Sequence, residues 1–260
     1  MQQSIYDIRE ISTRLDGKSG NPVYLIYDHG IPIIMKVFLK ERERSYEVKS
    51  YEFLSSHSNV IIKIPKVLSL QQCDKYYMFL EYISGTTISN AIRRYSYDEE
   101  ILFIIGNKLG HILRYIHNIS SVECSGRKEL THMIRFTKIQ SDIRDRFLLN
   151  PGRFTYVHGD PSLDNFIIND DLEITIIDVG SVIKNSYNDE PRGFPACDYN
   201  RFVIVAQLIG KREKVHNIQI LINGFKDGYG STDDIFTDEA NVLFYTYWNH
   251  TLRKYLNNST

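Results

Sequence analysis

The side chains most able to do chemistry lie in one short stretch, Val157 to Ser181. Asp160 is followed five residues later by Asn165, and Asp178 comes next after an apolar stretch. A loop carboxylate such as Asp160 can accept a hydroxyl proton or orient that hydroxyl for attack. The amide oxygen of Asn165 can turn toward a metal ion, and Asp178, at the end of a neighbouring strand, can bind the same ion or a second one. Hard oxygen ligands suit Mg²⁺, and phosphoryl transfer needs such positioning and charge neutralisation more than covalent help.

The elements before this stretch are predicted to be mainly strands. Residues 28–30, Asp-His-Gly, predict a hairpin turn between two segments rich in β-branched and aromatic residues. The predicted order is a strand at Val23 to Tyr27, a strand at Ile31 to Leu39, a helix at Leu39 to Ser56, and strands at Val67 to Leu70 and Tyr76 to Glu81. Together they predict a small antiparallel sheet with one inserted helix.

After Glu81 the apolar period becomes helical. Isoleucines and leucines recur at helical spacing from Ile101 to Ile116, which predicts a long amphipathic helix. A second helix is predicted over roughly Glu129 to Leu149, before the stop signal Asn150-Pro151-Gly152. Short strands are expected at Phe154 to Val157, Phe166 to Ile168 and Ile174 to Ile177, and helices from Cys197 onward. The sequence therefore predicts an α+β fold with a β-rich first lobe and a mostly helical second lobe.

Composition, charge and cysteine spacing argue against several classes of protein. The chain has 260 residues and a formal net charge of -1, without a basic stripe, so we expect no nucleic-acid partner. No stretch approaches the roughly 18 apolar residues of a membrane helix, and the N-terminus lacks a signal-peptide pattern. Cys73, Cys124 and Cys197 are far apart and lack metal-ligand spacing, so we expect neither disulfide nor zinc site. A cytoplasmic location is the prediction.

Two motifs carry a resemblance to a known family: His158-Gly159-Asp160 with Asn165, and Ile177-Asp178-Val179-Gly180. They resemble the catalytic and metal loops of the aminoglycoside phosphotransferase and choline kinase family, the small-molecule branch of the protein-kinase-like fold. Protein kinases have H-R-D-x-x-x-x-N and D-F-G instead, so Gly159 and Val179 favour the small-molecule branch. The resemblance spans roughly residues 10 to 205.

The resemblance implies a protein-kinase-like bilobal fold with three parts. Residues 1–81 would form an N-lobe that binds the phosphates of ATP, residues 82–86 a hinge, and residues 87–260 a C-lobe for catalysis and acceptor binding. ATP and Mg²⁺ are the implied cofactors, and the implied reaction moves the γ-phosphate to a hydroxyl of a small molecule.

Lys36 lies in the middle of an apolar strand, where an inward lysine needs a partner. The resemblance implies that Lys36 contacts the α and β phosphates and pairs with a glutamate on a helix. Glu47 is our choice of partner because Tyr51 and Leu54 follow it at helical spacing, and Glu52 is the alternative.

Two further segments follow the family's order along the chain. Leu15 to Tyr24 resembles a hairpin that covers the phosphates, in which Gly17 and Gly20 would let backbone amides approach the phosphate oxygens. The segment from Phe79 to Gly85 resembles the hinge, in which Glu81 and Ile83 would hold adenine through backbone groups.

The resemblance assigns Asp160 as the catalytic base, and Asn165 and Asp178 as magnesium ligands. We expect His158 to brace the catalytic loop, and Asp198 to cap a helix and tie that loop down. Both are therefore predicted to be structural.

The sequence leaves the acceptor open among aminoglycosides, choline-like amines, sugars, amino-acid derivatives and macrolides. Five acids at 227–239 could concentrate a cationic acceptor, but we favour exposed acids near a helix N-terminus. Tyr245, Tyr247 and Trp248 could wall in a quaternary amine, although core packing is the simpler interpretation. Asp164 could touch the substrate, and an exposed loop acid is our expectation.

Two other functions stay open. A protein kinase is disfavoured because the segment after Asp178 is short and no A-P-E sequence follows it. A nucleotide-binding regulatory module without catalysis is disfavoured because all the key residues are present. The oligomeric state is not indicated.

Overall fold

The computed structural model describes residues 13–15, 21–119, 121–122, 140–179 and 192–257. The strands are β1 Thr13–Leu15, β2 Val23–Asp28, β3 Ile31–Phe38, β4 Val67–Gln72, β5 Tyr76–Glu81, β6 Thr86–Thr87, β7 Ser121–Val122, β8 Phe154–Tyr156, β9 Phe166–Ile168, β10 Ile174–Ile176 and β11 Arg192–Gly193. The helices are α1 Glu41–Ser56, α2 Ile88–Arg94, α3 Glu99–Asn118, α4 Ser141–Leu149, α5 Pro195–Arg212, α6 Ile218–Tyr229 and α7 Asp238–Asn257. Within the described ranges, no helix combines the length and apolar character needed to cross a membrane.

The first lobe is an antiparallel sheet with strand order β1-β2-β3-β5-β4. The hairpin between β2 and β3 turns at His29 and Gly30, whose φ angles are 49° and 84°. Positive φ at both central positions is type I′ geometry, whose twist matches that of the strands, so the predicted turn is confirmed. β3 lies between β2 and β5 and places Lys36 opposite Val23 and Met78. This central position leaves Lys36 only 5% exposed.

Helix α1 packs one face against the sheet and the second lobe. The buried residues of that face are Tyr46, Glu47, Val48, Ser50, Tyr51 and Leu54. Tyr51 and Leu54 belong to the same core cluster as Phe38 of the sheet and Leu109 of α3. Since this cluster continues from the sheet through α1 into the second lobe, the helix holds Glu47 inside the protein, where it is buried.

The second lobe rests on the close packing of α3 against α6. A Cβ atom on Gly106 would lie 2.0 Å from the carbonyl oxygen of Leu221, and one on Gly228 would lie 2.0 Å from that of Asn107. These distances leave room only for hydrogen, so the two backbones touch where glycine occurs. This close contact fixes α3 against α6, so residues near the ends of the two helices are held in place.

Two short sheets connect the α3–α6 pair to the segments that carry Asp160 and Asp178. One has the order β10-β9-β6 and the other β11-β8-β7. The turn between β9 and β10 is closed by the amide of Glu173, which donates to Oδ1 of Asn169 at 2.8 Å. The amide of Ile176 in β10 donates to the carbonyl of Lys63 at 2.9 Å, which ties this sheet to the chain leaving α1. β8 leads into the loop at 157–165, and β10 leads to Asp178.

The predicted element order and the α+β class are confirmed. The observed helix boundaries differ from the predicted ones by a few residues. The helix predicted over 129–149 is described from Ser141 to Leu149, and 129–139 lie outside the described residues. Cys73 is exposed and Cys197 is buried, and both are free thiols. Cys124 lies outside the described residues.

Candidate active site

Lys36 is the centre of a buried ionic cluster. Its Nζ pairs with Oε1 of Glu47 and lies 3.0 Å from Oδ1 of Asp178. Burial by itself lowers the pKa of Lys36, but the two carboxylates hold that pKa above its ordinary value, so the lysine is charged. Glu52, the alternative partner, is exposed. The structure therefore brings together one cation and two carboxylates from three separate parts of the chain.

Asp178 has a backbone conformation that is costly for a residue other than glycine. Its φ is 57°, in the left-handed region, which costs about 1–2 kcal/mol and occurs preferentially at functional sites. Its amide donates to the hydroxyl of Tyr51 at 3.3 Å. Tyr51 lies one turn after Glu47 on α1, and burial raises its pKa, so the phenol is neutral. One helix thus fixes both the partner of Lys36 and the backbone of Asp178.

The loop that carries Asp160 is held by Asp198, in the first turn of α5. The amides of His158 and Gly159 donate to the two carboxylate oxygens of Asp198, at 2.6 and 2.9 Å. Gly159 has a φ of 80°, a conformation that glycine adopts without strain. Asp198 ties down the loop as expected from the sequence, but it does not cap the helix, whose N-cap residue is Phe194.

Asp198 is supported in turn by the α3–α6 pair. Nε2 of His117, near the end of α3, lies 3.4 Å from Oδ2 of Asp198. Nδ1 of His117 lies 2.7 Å from the hydroxyl of Tyr229, at the end of α6. His117 and Asp198 are 0% and 1% exposed, so the loop is anchored to the closely packed helix pair through a buried chain of polar contacts.

Asp160 lies beside Arg201, a residue of α5 that the sequence analysis did not single out. Nη2 of Arg201 is 2.5 Å from Oδ1 of Asp160, and Nη1 donates to the carbonyl of Gly159 at 3.3 Å. Burial raises the pKa of Asp160 above its ordinary value, and the guanidinium offsets part of that rise. Arg201 follows Asp198 by three residues, hence one helical turn, and this spacing from the loop-binding aspartate is the signal that could have found it.

Asn165 turns back onto the same loop. Its Nδ2 donates to the carbonyl of Asp160 at 2.8 Å, which leaves the amide oxygen Oδ1 directed elsewhere. Its own carbonyl accepts from the amide of Ile177 at 2.8 Å. Because Ile177 immediately precedes Asp178, this bond joins the two predicted metal ligands through their backbones.

The donor set fits a magnesium ion better than a metal held wholly by protein. Asn165 and Asp178 offer hard oxygen atoms, and the Asp178 side chain is 31% exposed. Among the residues that the structure describes, no cluster of three or more His, Cys, Asp or Glu side chains could hold a metal. Mg²⁺ is typically bound through one or two carboxylates plus water and substrate phosphates, so two oxygen-bearing side chains suit it.

His158 is buried and packs against the ring of Phe166, with ring centroids 5.2 Å apart. Burial lowers its pKa below the ordinary value despite the nearby carboxylates, so the imidazole is neutral. Its Nδ1 lies 3.4 Å from the amide of Asp160. These contacts are those of a side chain that braces the loop.

Asp164 corrects one expectation from the sequence. It is not an exposed loop acid but is partly buried, and it accepts a hydrogen bond from the hydroxyl of Ser89 at the start of α2. The sequence could not show this contact because Ser89 lies far away along the chain.

The structure describes only some of the other residues that were predicted to contact the nucleotide. Glu81 ends β5, and its amide already donates to the carbonyl of Lys66 at 2.9 Å. Ile83 follows in the irregular connection to β6 and is half-buried. Gly17 and Gly20 lie outside the described residues.

The residues considered for acceptor binding fall into two groups. In the acidic segment, Asp234 pairs with Arg114 at 2.6 Å and Asp227 accepts from Asn107 at 2.8 Å, and both of these partners belong to α3. On α7, the indole of Trp248 stacks under the guanidinium of Arg201, whose central carbon lies 4.6 Å from the ring centroid. The remaining aromatic residues of that group are an exposed Tyr245 and a core-packed Tyr247.

Comparison with known proteins gave different results for the sequence and for the fold. No protein-family model matches the sequence, and no curated protein does. The fold is nevertheless shared with a crystal structure of an aminoglycoside-3'-phosphotransferase of type VIII, at a TM-score of 0.55 and 17% identity, over 92% of this chain and 93% of that one. The ternary complex of streptomycin, ATP and APH(2'')-IIa matches at a TM-score of 0.50 and 16% identity, over 83% of this chain and 81% of that one.

These matches define the fold as the bilobal, protein-kinase-like α+β fold found in aminoglycoside phosphotransferases. The likeness predicted from the two loop motifs is therefore confirmed at the level of the fold, over most of the chain.

Proposed function

We propose that this protein is an ATP-dependent phosphotransferase that moves the γ-phosphate to a hydroxyl group of a small-molecule acceptor. The observation that carries the proposal is one continuous network. It runs from Glu47 and Lys36 to Asp178, then through the bond between Ile177 and Asn165 to the backbone of Asp160. Phosphoryl transfer depends on such fixed positions of charges and oxygen atoms.

On the nucleotide side, Lys36 is charged and held by the carboxylates of Glu47 and Asp178, which suits it to contact the α and β phosphates. Asn165 and Asp178 would hold Mg²⁺, which when bound neutralises the charge that develops on the phosphate oxygens. The glycines at 17 and 20 would cover the phosphates, and the backbone of Glu81 and Ile83 would hold adenine. We assign 1–81, 82–86 and 87–260 as the N-lobe, hinge and C-lobe.

On the acceptor side, the carboxylate of Asp160 would accept the proton of the hydroxyl that attacks the γ-phosphate. It can do so because Asp198 fixes the loop, Asn165 holds the Asp160 carbonyl and Arg201 compensates the carboxylate charge. The need for ATP agrees with the cytoplasmic location expected from the sequence.

The test uses purified protein, Mg²⁺ and radiolabelled ATP with a panel of aminoglycosides, amino alcohols, sugars and amino-acid derivatives. We expect Asp160→Asn to lower transfer by about 10²–10⁴-fold while ATP still binds, and Asp178→Ala to weaken metal-dependent ATP binding as well. Asp170→Asn is the matched control, because that side chain is 100% exposed.

Wild-type turnover by Asp160→Asn would contradict the assigned base. Label on added proteins and on no small molecule would favour a protein kinase. ATP binding without consumption in the presence of every acceptor would favour a regulatory module.

A further inference from the structure

Arg201 lies directly beside Asp160, so an acceptor whose hydroxyl reaches Asp160 would come close to the guanidinium. The two side chains are 23% and 27% exposed, so the pair is partly open to solvent although each member is mostly covered. The guanidinium is fixed on three sides, by Asp160, by the carbonyl of Gly159 and by the ring of Trp248. Trp248 is itself fixed, because its Nε1 donates to the carbonyl of Cys197 at 3.0 Å.

The guanidinium has more donors than these contacts use. Arginine presents five N–H groups in a planar fork, and the contacts with Asp160 and Gly159 engage Nη2 and Nη1. Nη1 and Nη2 each carry a second N–H that these two contacts do not use, whereas Nε is buried and has no hydrogen-bond partner within the part of the chain that the structure describes. Stacking on Trp248 covers the face of the guanidinium and leaves the remaining N–H groups of Nη1 and Nη2 at its end, where they can bind a carboxylate or a phosphate.

Three of the side chains that could attract a cation have partners elsewhere. The face of Trp248, which could have received a quaternary amine, carries Arg201 instead. The acids Asp227 and Asp234 contact α3. An ammonium group placed against the guanidinium of Arg201 would meet a like charge, which disfavours binding on that side of Asp160.

We propose that Arg201 selects an acceptor that bears an anionic group, a carboxylate or a phosphate, close to the hydroxyl that is phosphorylated. The inference rests on the proposed function. In the reaction the acceptor O–H gives its proton to Asp160, its oxygen bonds to the γ-phosphorus, and the bond from that phosphorus to the bridging oxygen of ADP breaks. Arg201 takes no part in these bond changes, so it is a positioning residue for the acceptor.

The test compares acceptors that share a carbon skeleton and differ in charge. One series is glycerate, glycerol 3-phosphate, glycerol and 3-amino-1,2-propanediol, and the other is glucuronate, glucose 6-phosphate, glucose and glucosamine. Transfer is followed with radiolabelled ATP, and binding by calorimetry in the presence of Mg²⁺ and a non-hydrolysable ATP analogue. The carboxylates and phosphates within each series separate the two sources of negative charge.

We expect the anionic members to show KM or Kd values at least about tenfold lower than the ammonium members. Arg201→Gln should remove that difference by raising KM for anions, with a smaller effect on kcat for neutral acceptors, and Arg201→Lys should be intermediate because it keeps the charge but loses the fork. The control is Arg212→Gln, at the far end of α5 with a side chain that is 48% exposed. Thermal melting shows whether each variant is folded.

Equal or weaker binding of the anions, including no measurable binding, would overturn the inference while the proposed function could still stand on another acceptor. A uniform loss of transfer from all acceptors in Arg201→Gln would also overturn it, because Arg201 would then serve Asp160 or the transferred phosphate alone. Failure of the wild-type protein to bind ATP would remove the proposed function itself.

Discussion

Replacing Lys36 with methionine removes the cation from a site that keeps two carboxylates. Lys36 and Glu47 have side chains only 6% and 5% exposed, whereas Asp178 is 31% exposed. Removing one partner of a buried ion pair costs about 3–5 kcal/mol, mostly because the other charge stays buried without compensation. We therefore expect Lys36→Met to lower the free energy of unfolding by about 3 kcal/mol or more.

We expect a second substitution to restore stability but not function. In Lys36→Met/Glu47→Gln the buried carboxylate of Glu47 is gone, and water solvates the partly exposed carboxylate of Asp178. The double variant should regain about 2 kcal/mol relative to Lys36→Met, yet bind ATP no better. Urea unfolding measures the first quantity through the midpoint at constant slope, and calorimetry with Mg²⁺ and ATP measures the second.

The control for this cycle is Lys40→Met, at an exposed lysine just before α1. We expect it to change stability by less than about 0.5 kcal/mol. A double variant as unstable as Lys36→Met, or less stable, would refute the view that uncompensated Glu47 causes the loss.

Two further predictions concern the loop. Since burial raises the pKa of Asp160, with Arg201 opposing the rise and Asp178 and Asp198 adding to it, transfer should increase with pH through a value above the ordinary range of Asp. Arg201→Gln should move this acid limb to higher pH, and a pH–rate profile with an unmoved or lowered limb would refute the assignment. Asp198→Asn should cost about 1–3 kcal/mol, because its amide nitrogen would face a backbone N–H of His158 or Gly159. Loss of transfer without any fall in melting temperature would contradict that role.

Much of the fold was predictable because its signals are local. The hairpin at His29 and Gly30 follows from residues that accept positive φ, and the long helix α3 follows from the spacing of its isoleucines and leucines. The loop residues Asp160, Asn165 and Asp178 stood out because they lie within one short stretch with a known pattern.

What the sequence did not show depends on contacts between distant segments. Arg201 and Asp160 meet at the point where Asp198 of α5 binds the loop. The backbone contact of α3 with α6 at Gly106 and Gly228 is equally hidden, since a glycine within a helix looks unfavourable until its neighbour is known. Asp164 was expected to be exposed for the same reason.

The most direct test of the account is a crystal structure with Mg²⁺ and a non-hydrolysable ATP analogue. We expect Mg²⁺ bound by Oδ1 of Asn165 and the carboxylate of Asp178 at about 2.0–2.1 Å, with Lys36 on the α and β phosphates and Asp160 facing the γ-phosphate. Nucleotide bound elsewhere, or a metal ion that touches neither Asn165 nor Asp178, would contradict it.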